Sequence, residues 1–221
     1  MPTYLVSGAN RGLGYEMVKQ LSALPRTYIL AEIGRRIKVV PLEVTDPESV
    51  KNVVDEVEKW EHTKGGLDVL LNNAGVFAGG WATALEATPA DIQSNLNINL
   101  YGTISLTLAL LPSLLRPSAA TPAEDDGGSP VKQIYTYSSG MGSITSTQNN
   151  ALAGARRIPK DGKDVVVKAL HPGWATTGMT GAGEGYVSPE DSVKGMIEVI
   201  LSAKRGDPTV LVSYKNEVLP W

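Results

Sequence analysis

Apolar residues in this chain fall into short dense runs that alternate with longer stripes of helical period. Residues 3–7, "TYLVS", are a run of strand formers that leads directly into "GANRGLG" and then the helical stretch "YEMVKQLSAL". Further strand-type runs are "TYILA" at 27–31, "RIKVVPLEV" at 36–44, "LDVLL" at 67–71, "VKQIYTYSS", "DVVVKALHPG" and "TVLVSYKN". Between them lie helices. Val50, Val53, Val54 and Val57 repeat at i, i+3, i+4 and i+7, behind an N-cap at Thr45 or Asp46, Pro47 in the first turn and Glu48 at the positive end of the dipole. Residues 89–115 read as one helix, capped near Thr88 and Pro89 and stopped before Pro117. It is apolar on several faces, so it is expected to be largely buried. "SPEDSVKGMIEVILSAK" at 188–204 is a capped amphipathic helix. Strands alternating with helices predict an α/β fold: one doubly wound parallel sheet of about seven strands, with helices on both faces.

Composition narrows this picture. The chain has 221 residues, which suits a single domain over 1–221. It is 42% hydrophobic and 19% charged, enough for a sizeable core. The polar, Pro/Gly-rich stretch "RPSAATPAEDDGGSP" at 116–130 reads as a surface loop inside that domain. A net charge of −3 and a pI near 5.5 argue against nucleic acid or anionic lipid as partners. With no cysteine there is no disulfide or thiolate chemistry, and His62 and His171 are too far apart in sequence to suggest a zinc cluster. "MPTYLVSGAN" has no basic region followed by an apolar run, and no apolar run is long enough to span a bilayer. The expected location is the cytosol.

The candidate chemistry begins at Gly8, Gly12 and Gly14, spaced G-x-x-x-G-x-G between the first strand and the first helix. Glycines at such a turn allow positive φ and let the backbone approach a pyrophosphate, whose charge the helix N-terminus meets. The spacing differs from G-x-G-x-x-G, but the setting in a first βα unit points to dinucleotide binding.

Four more segments, in order along the chain, make the pattern specific. They are "NNAG" at 72–75, "NINLYG" at 97–102, "SSGMG" at 138–142 and "HPGWATT" at 171–177. With "SGANRGLG" they resemble the motifs of the short-chain dehydrogenase/reductase family, classical type. The ending "VSYKNEVLPW" resembles members similar to the C-factor and sniffer-like carbonyl reductases. The resemblance implies a Rossmann fold and hydride transfer between a nicotinamide cofactor and a carbonyl or alcohol, a small-molecule substrate. It implies that Gly8, Asn10, Arg11, Gly12, Leu13 and Gly14 line the cofactor phosphates and ribose, and that Glu43 and Val44 lie around adenine. Asn73, Ala74 and Gly75 would pass along the adenosine ribose, and Pro172, Gly173 and Thr177 would hold the nicotinamide carboxamide. Ser139 would hydrogen-bond the substrate carbonyl, and Asn99 would hold a proton-relay water. Family members often pair through the helix after the serine strand, so a homodimer or homotetramer is a further expectation.

Residue chemistry leaves the same positions with plainer readings. A buried asparagine can simply satisfy a backbone kink, paired serines at a strand end form turns, and His171 before Pro-Gly suits a structural strand end. Trp81 and Trp174 are pocket walls or plain packing. For the cofactor, Arg11 suits a 2′-phosphate, as would Arg35 and Arg36, whereas Glu32 after the second strand would suit the 2′-hydroxyl of NAD. NADP(H) is favoured over NAD(H).

The family's proton donor is a tyrosine in a Y-x-x-x-K pair shortly beyond the serine, whose lysine lowers the tyrosine's pKa. Here, thirteen residues after Ser139 stands Leu152, and four further stands Arg156. No tyrosine occurs between Tyr137 and Tyr186, and neither Lys160 nor Lys163 has a tyrosine four residues before it. The joining helix is also too short, with "NNALAGARR" offering barely two turns. A second connection is equally cramped: only Glu32 to Arg35 separate "TYILA" from "RIKVV", where a parallel crossover ordinarily needs a dozen residues. Two shortened crossovers, both beside the cofactor site, point to segments missing near 31–36 and 145–156. The alternatives are a catalytically inactive cofactor-binding regulator, or a non-redox lyase or cyclase reusing the pocket.

Overall fold

The computed structural model describes residues 2–25, 27–30, 37–63, 66–83, 85–116, 131–139, 165–181 and 186–220. The expectations placed on Glu32, Arg35, Arg36, the 117–130 stretch and residues 140–164 lie outside them, as do the two segments expected to be missing. Strands β1 (Thr3–Val6), β2 (Tyr28–Leu30), β3 (Ile37–Lys38), β4 (Val69–Asn72), β5 (Lys132–Tyr137), β6 (Val165–His171), β7 (Leu211–Ser213) and β8 (Val218–Leu219) form one sheet. Its order is β3-β2-β1-β4-β5-β6-β7-β8, parallel except for β8.

Side-chain alternation divides the core into two layers. Tyr4, Val6, Val69, Leu71 and Tyr135 face α1 (Gly12–Ala23) and α5 (Pro189–Leu201). Leu5, Leu70 and Ile134 face α2 (Pro47–Lys59) and α4 (Thr103–Leu114). The valine stripe of α2 buries Val50, Val53 and Val57, and Asp46 caps that helix by accepting from Glu48 N at 3.0 Å.

The amino edge of the sheet is tied by a buried polar knot. Asp68 Oδ2 accepts from Thr3 N at 2.9 Å and Thr3 Oγ1 at 3.0 Å. Lys132 Nζ lies 3.0 Å from Asp68 Oδ1 and donates to Leu67 O at 2.8 Å. Desolvation pushes the Lys132 pKa down against the pull of Asp68. Asp68 Oδ1 accepts no hydrogen bond from a described residue, so charge rather than alignment holds that contact.

β2 and β3 are parallel neighbours, paired at Ile29–Ile37 and Leu30–Lys38. Three expectations need correction. The strand predicted over 36–44 is cut to two residues, with Pro41 unable to donate to a ladder. The edge strand β8 was not predicted; it turns back through Asn216, at φ +62°.

The segment 89–115 is helical throughout, but it passes from α3 (Pro89–Asn95) through a π-helical stretch (Leu96–Gly102) into α4. It is not largely buried. Leu106, Leu110 and Leu114 reach the core, while Tyr101, Ile104, Leu108 and Leu115 are exposed. The helix rests on the sheet and α2 with one side only, so an apolar circumference cannot be buried all round.

Candidate functional site

The described residues expected to hold cofactor and substrate follow the carboxyl ends of β1, β4, β5 and β6 or pack beside them, where doubly wound folds take their ligands. The first group joins the turns after β1 and β4. Ser7 Oγ accepts from Asn73 N at 3.1 Å and Ala74 N at 3.0 Å. Asn73 Nδ2 donates back to Ser7 O at 2.9 Å and Gly8 O at 3.0 Å. Gly8 is at φ +64° and Gly12 at φ +57°, so both use the left-handed region. Gly14 is required for space: a Cβ there would stand 2.3 Å from both Asn73 Nδ2 and Gly8 O. The "GANRGLG" and "NNAG" motifs are therefore two halves of one interlocked turn.

This turn leaves α1 open at its N-terminus. Arg11 occupies the N-cap without a capping side-chain bond, and the first turn holds no acidic residue. Asn10 and Arg11 are exposed, Leu13 packs on the core, and no carboxylate among the described residues pairs with Arg11. A cleft of about 340 Å³ opens beside the turn, lined by Ser7, Gly8, Asn10, Val39, Val40 and Leu42 among others. Val44 is buried nearby against Gly102, where a Cβ would meet Val44 Cγ2 at 2.6 Å. Glu43 is turned away into a local bond with the Thr45 hydroxyl at 2.7 Å, which holds its carboxyl below the usual range. Glycine cradle, open helix end and a cleft with both polar and apolar walls fit a dinucleotide.

The second group fixes the loop after "NNAG". Asn99, in the π-helical stretch, accepts from Val76 N at 2.8 Å and donates to Val76 O at 2.9 Å. One turn earlier, Asn95 accepts from Ala78 N at 3.2 Å and donates to Ala78 O at 3.0 Å. The two amides thus pair with alternate loop residues as a neighbouring strand would. The π-helical register sits where this matching is needed, consistent with the tendency of such stretches to mark functional positions. Asn95 was not singled out from sequence; its spacing of four from Asn99 is the signal that could have found it.

Ser139 lies half-buried just past the end of β5, beside the end of β6. Tyr137, the nearest preceding tyrosine, is no stand-in for the absent acid. Its hydroxyl is buried without a partner among the described residues, and burial pushes its pKa up. The third group follows β6. Gly173 is at φ +74° against the Tyr214 ring, and Pro172 O accepts from Ser192 Oγ of α5 at 2.6 Å. Thr177 is tied to Thr180 through their hydroxyls at 3.1 Å. Residues 182–185 of the loop after β6 lie outside the described residues. His171 ends β6, where its carbonyl accepts from Tyr214 N, and burial lowers its side-chain pKa. Trp81 and Trp174 stand 5.8 Å apart, centroid to centroid, bridging the loops after β4 and β6. Among the described residues no cluster could hold a metal ion, and no helix is long and apolar enough to cross a membrane.

Comparison with known proteins gives the same picture. The short chain dehydrogenase gsfK of Penicillium aethiopicum is 26% identical over 260 positions, covering 99% of each chain. That alignment is longer than the 221 residues of this chain, so the relative carries internal residues with no counterpart here. Among solved structures, the NADPH-bound carbonyl reductase from chicken fatty liver has a TM-score of 0.76 at 29% identity, covering 100% of this chain and 99% of that one. The carbonyl reductase Sniffer of D. melanogaster has a TM-score of 0.80 at 25% identity, covering 100% of both. The family model for short chain dehydrogenase matches residues 2–184, and the chain belongs to that family of oxidoreductases.

Proposed function

We propose that this chain is an NADP(H)-dependent oxidoreductase acting between a carbonyl and the corresponding alcohol. The observation that carries the reading is the glycine cradle interlocked with Asn73 and opening onto an uncapped α1. Backbone N–H groups of that turn and the α1 N-terminus would hold the pyrophosphate. Arg11, exposed and without an ion-pair partner among the described residues, would take a 2′-phosphate, and the chicken relative is described as NADPH-bound. Val44 would pack against adenine, Asn73, Ala74 and Gly75 would follow the ribose, and Pro172, Gly173 and Thr177 would hold the carboxamide. When bound, the cofactor supplies the hydride. The carbonyl carbon gains that hydride, its oxygen gains a proton, and the products are the alcohol and NADP+.

Ser139 would donate a hydrogen bond to the carbonyl oxygen. Asn99 commits one N–H and one lone pair to Val76, and the remaining pair is what it has for a relay water. The proton donor is the outstanding part. No tyrosine stands between Tyr137 and Tyr186, and the gsfK alignment contains internal positions absent here. The reading therefore includes a functional polypeptide longer than 221 residues, with a Tyr/Lys segment after Ser139.

The same absence supports a second reading, a cofactor-binding regulator without turnover. Intact mass of the protein from its source, followed by NADPH oxidation with a carbonyl panel, separates them. A mass above 23.4 kDa with turnover is expected. A mass of 23.4 kDa without turnover would leave the regulator.

A further inference from the structure

Four aromatic rings stand at the carboxyl edge of the sheet, outside both core layers. Phe77 and Trp81 come from the loop after β4, Trp174 and Tyr186 from the loop after β6. Phe77 meets Trp81 edge-on at 5.1 Å and 77°. Trp81 lies 5.8 Å from Trp174 at 32°, and Trp174 lies 6.1 Å from Tyr186 at 29°. The Trp81–Trp174 pair is tilted and the Trp174–Tyr186 pair stacked, at separations that leave ring faces open beyond each contact. Trp81 is 60% exposed, Trp174 42% and Phe77 40%. Three large exposed rings in contact form an apolar patch of the kind that marks a binding site rather than scattered surface residues.

Two further observations select the ligand. Residues 75–83 and 172–181 contain no Asp, Glu, Lys or Arg, the Asp91 carboxylate beside Gly79 is engaged by Thr88, and burial keeps His171 towards its neutral form, so the described lining favours an uncharged molecule. The wall is also well positioned. Phe77 adjoins the Val76 and Ala78 backbone held by Asn99 and Asn95, and Trp174 lies between Gly173 and Thr177. A substrate on these rings would lie beside the residues assigned above to the nicotinamide end.

We propose that the carbonyl substrate of this site is an uncharged aromatic ketone or aldehyde whose ring stacks on the Trp81–Trp174 face. This rests on the oxidoreductase reading above. The test is equilibrium dialysis of 2-acetonaphthone and its saturated, non-planar counterpart 2-acetyldecalin, with and without NADPH. Trp81→Leu and Trp174→Leu keep an apolar side chain but remove the stacking plane. The aromatic ketone is expected to bind about tenfold more tightly than the saturated one, and each leucine variant to lose about fivefold for the aromatic ketone alone. Equal binding of the two ketones, or leucine variants that retain the preference, would overturn the proposal. NADPH titration of the same samples is the independent arm. Failure to bind NADPH sinks the oxidoreductase reading, while the ring preference is still measured in the cofactor-free protein.

Discussion

The turn after β1 and the loop after β6 both serve the carboxyl edge of one sheet, yet they are built in opposite ways. The first is held by backbone and short side chains: Ser7, Asn73 and three glycines interlock so closely that Gly14 has no room for a methyl group. The second, with its partner loop after β4, meets through exposed aromatic rings, and no hydrogen bond is seen between described residues 75–83 and 172–187. A cofactor of constant shape suits a rigid cradle. Exposed rings can be changed one at a time without disturbing the fold, so such a substitution would be read in substrate binding rather than in stability.

Substitutions should expose that contrast. The largest effect is expected from Gly14→Ala, whose new methyl meets Gly8 O and Asn73. It should cost about 3 kcal/mol in denaturant unfolding and abolish NADPH binding. Asn73→Ala strips donors from the carbonyls of Ser7 and Gly8 and should cost about 2 kcal/mol, with weaker NADPH binding. Arg11→Ala should leave stability unchanged and weaken NADPH by about tenfold or more while sparing NADH, because only a 2′-phosphate engages the guanidinium. Equal losses for the two cofactors would remove Arg11 from that role. On the substrate side, Asn95→Ala should cost about 1 kcal/mol and weaken aromatic ketone binding without changing NADPH affinity.

The smallest effect is on pH. Burial lowers the His171 pKa, so the unfolded chain takes up a proton at higher pH than the folded one. His171 should therefore contribute stability above about pH 6.5 that declines as pH falls towards its folded pKa. Thermal melts across that range should show this slope in the parent and a shallower one in His171→Gln.

The cradle was legible from the residues because its requirements are local. A glycine after a strand and before a helix says where the backbone must turn, and "NNAG" after a buried strand says what meets it. The helix caps at Asp46, Thr88 and Ser188 were similarly readable, since each joins residues two or three apart. The Asn95–Asn99 tape was not, because its partners Val76 and Ala78 are contributed through backbone atoms that any residue carries. Nor could the exposed stripe of Tyr101, Ile104 and Leu108 be foreseen, because apolarity on all faces does not say which face the sheet will cover. Trp81 and Trp174 were open to two readings, wall or packing; their exposure and mutual distance are what support the proposed substrate wall.

These 221 residues carry the interlocked glycine cradle and have no tyrosine between Tyr137 and Tyr186 to serve as the proton donor of the proposed reaction. The most direct test is a fluorescence titration of NADPH into the chain of verified mass 23.4 kDa, continued after a carbonyl substrate is added. Saturable binding with no decay of the NADPH signal is the predicted result. Absence of binding, or steady oxidation of NADPH by this chain alone, would contradict it.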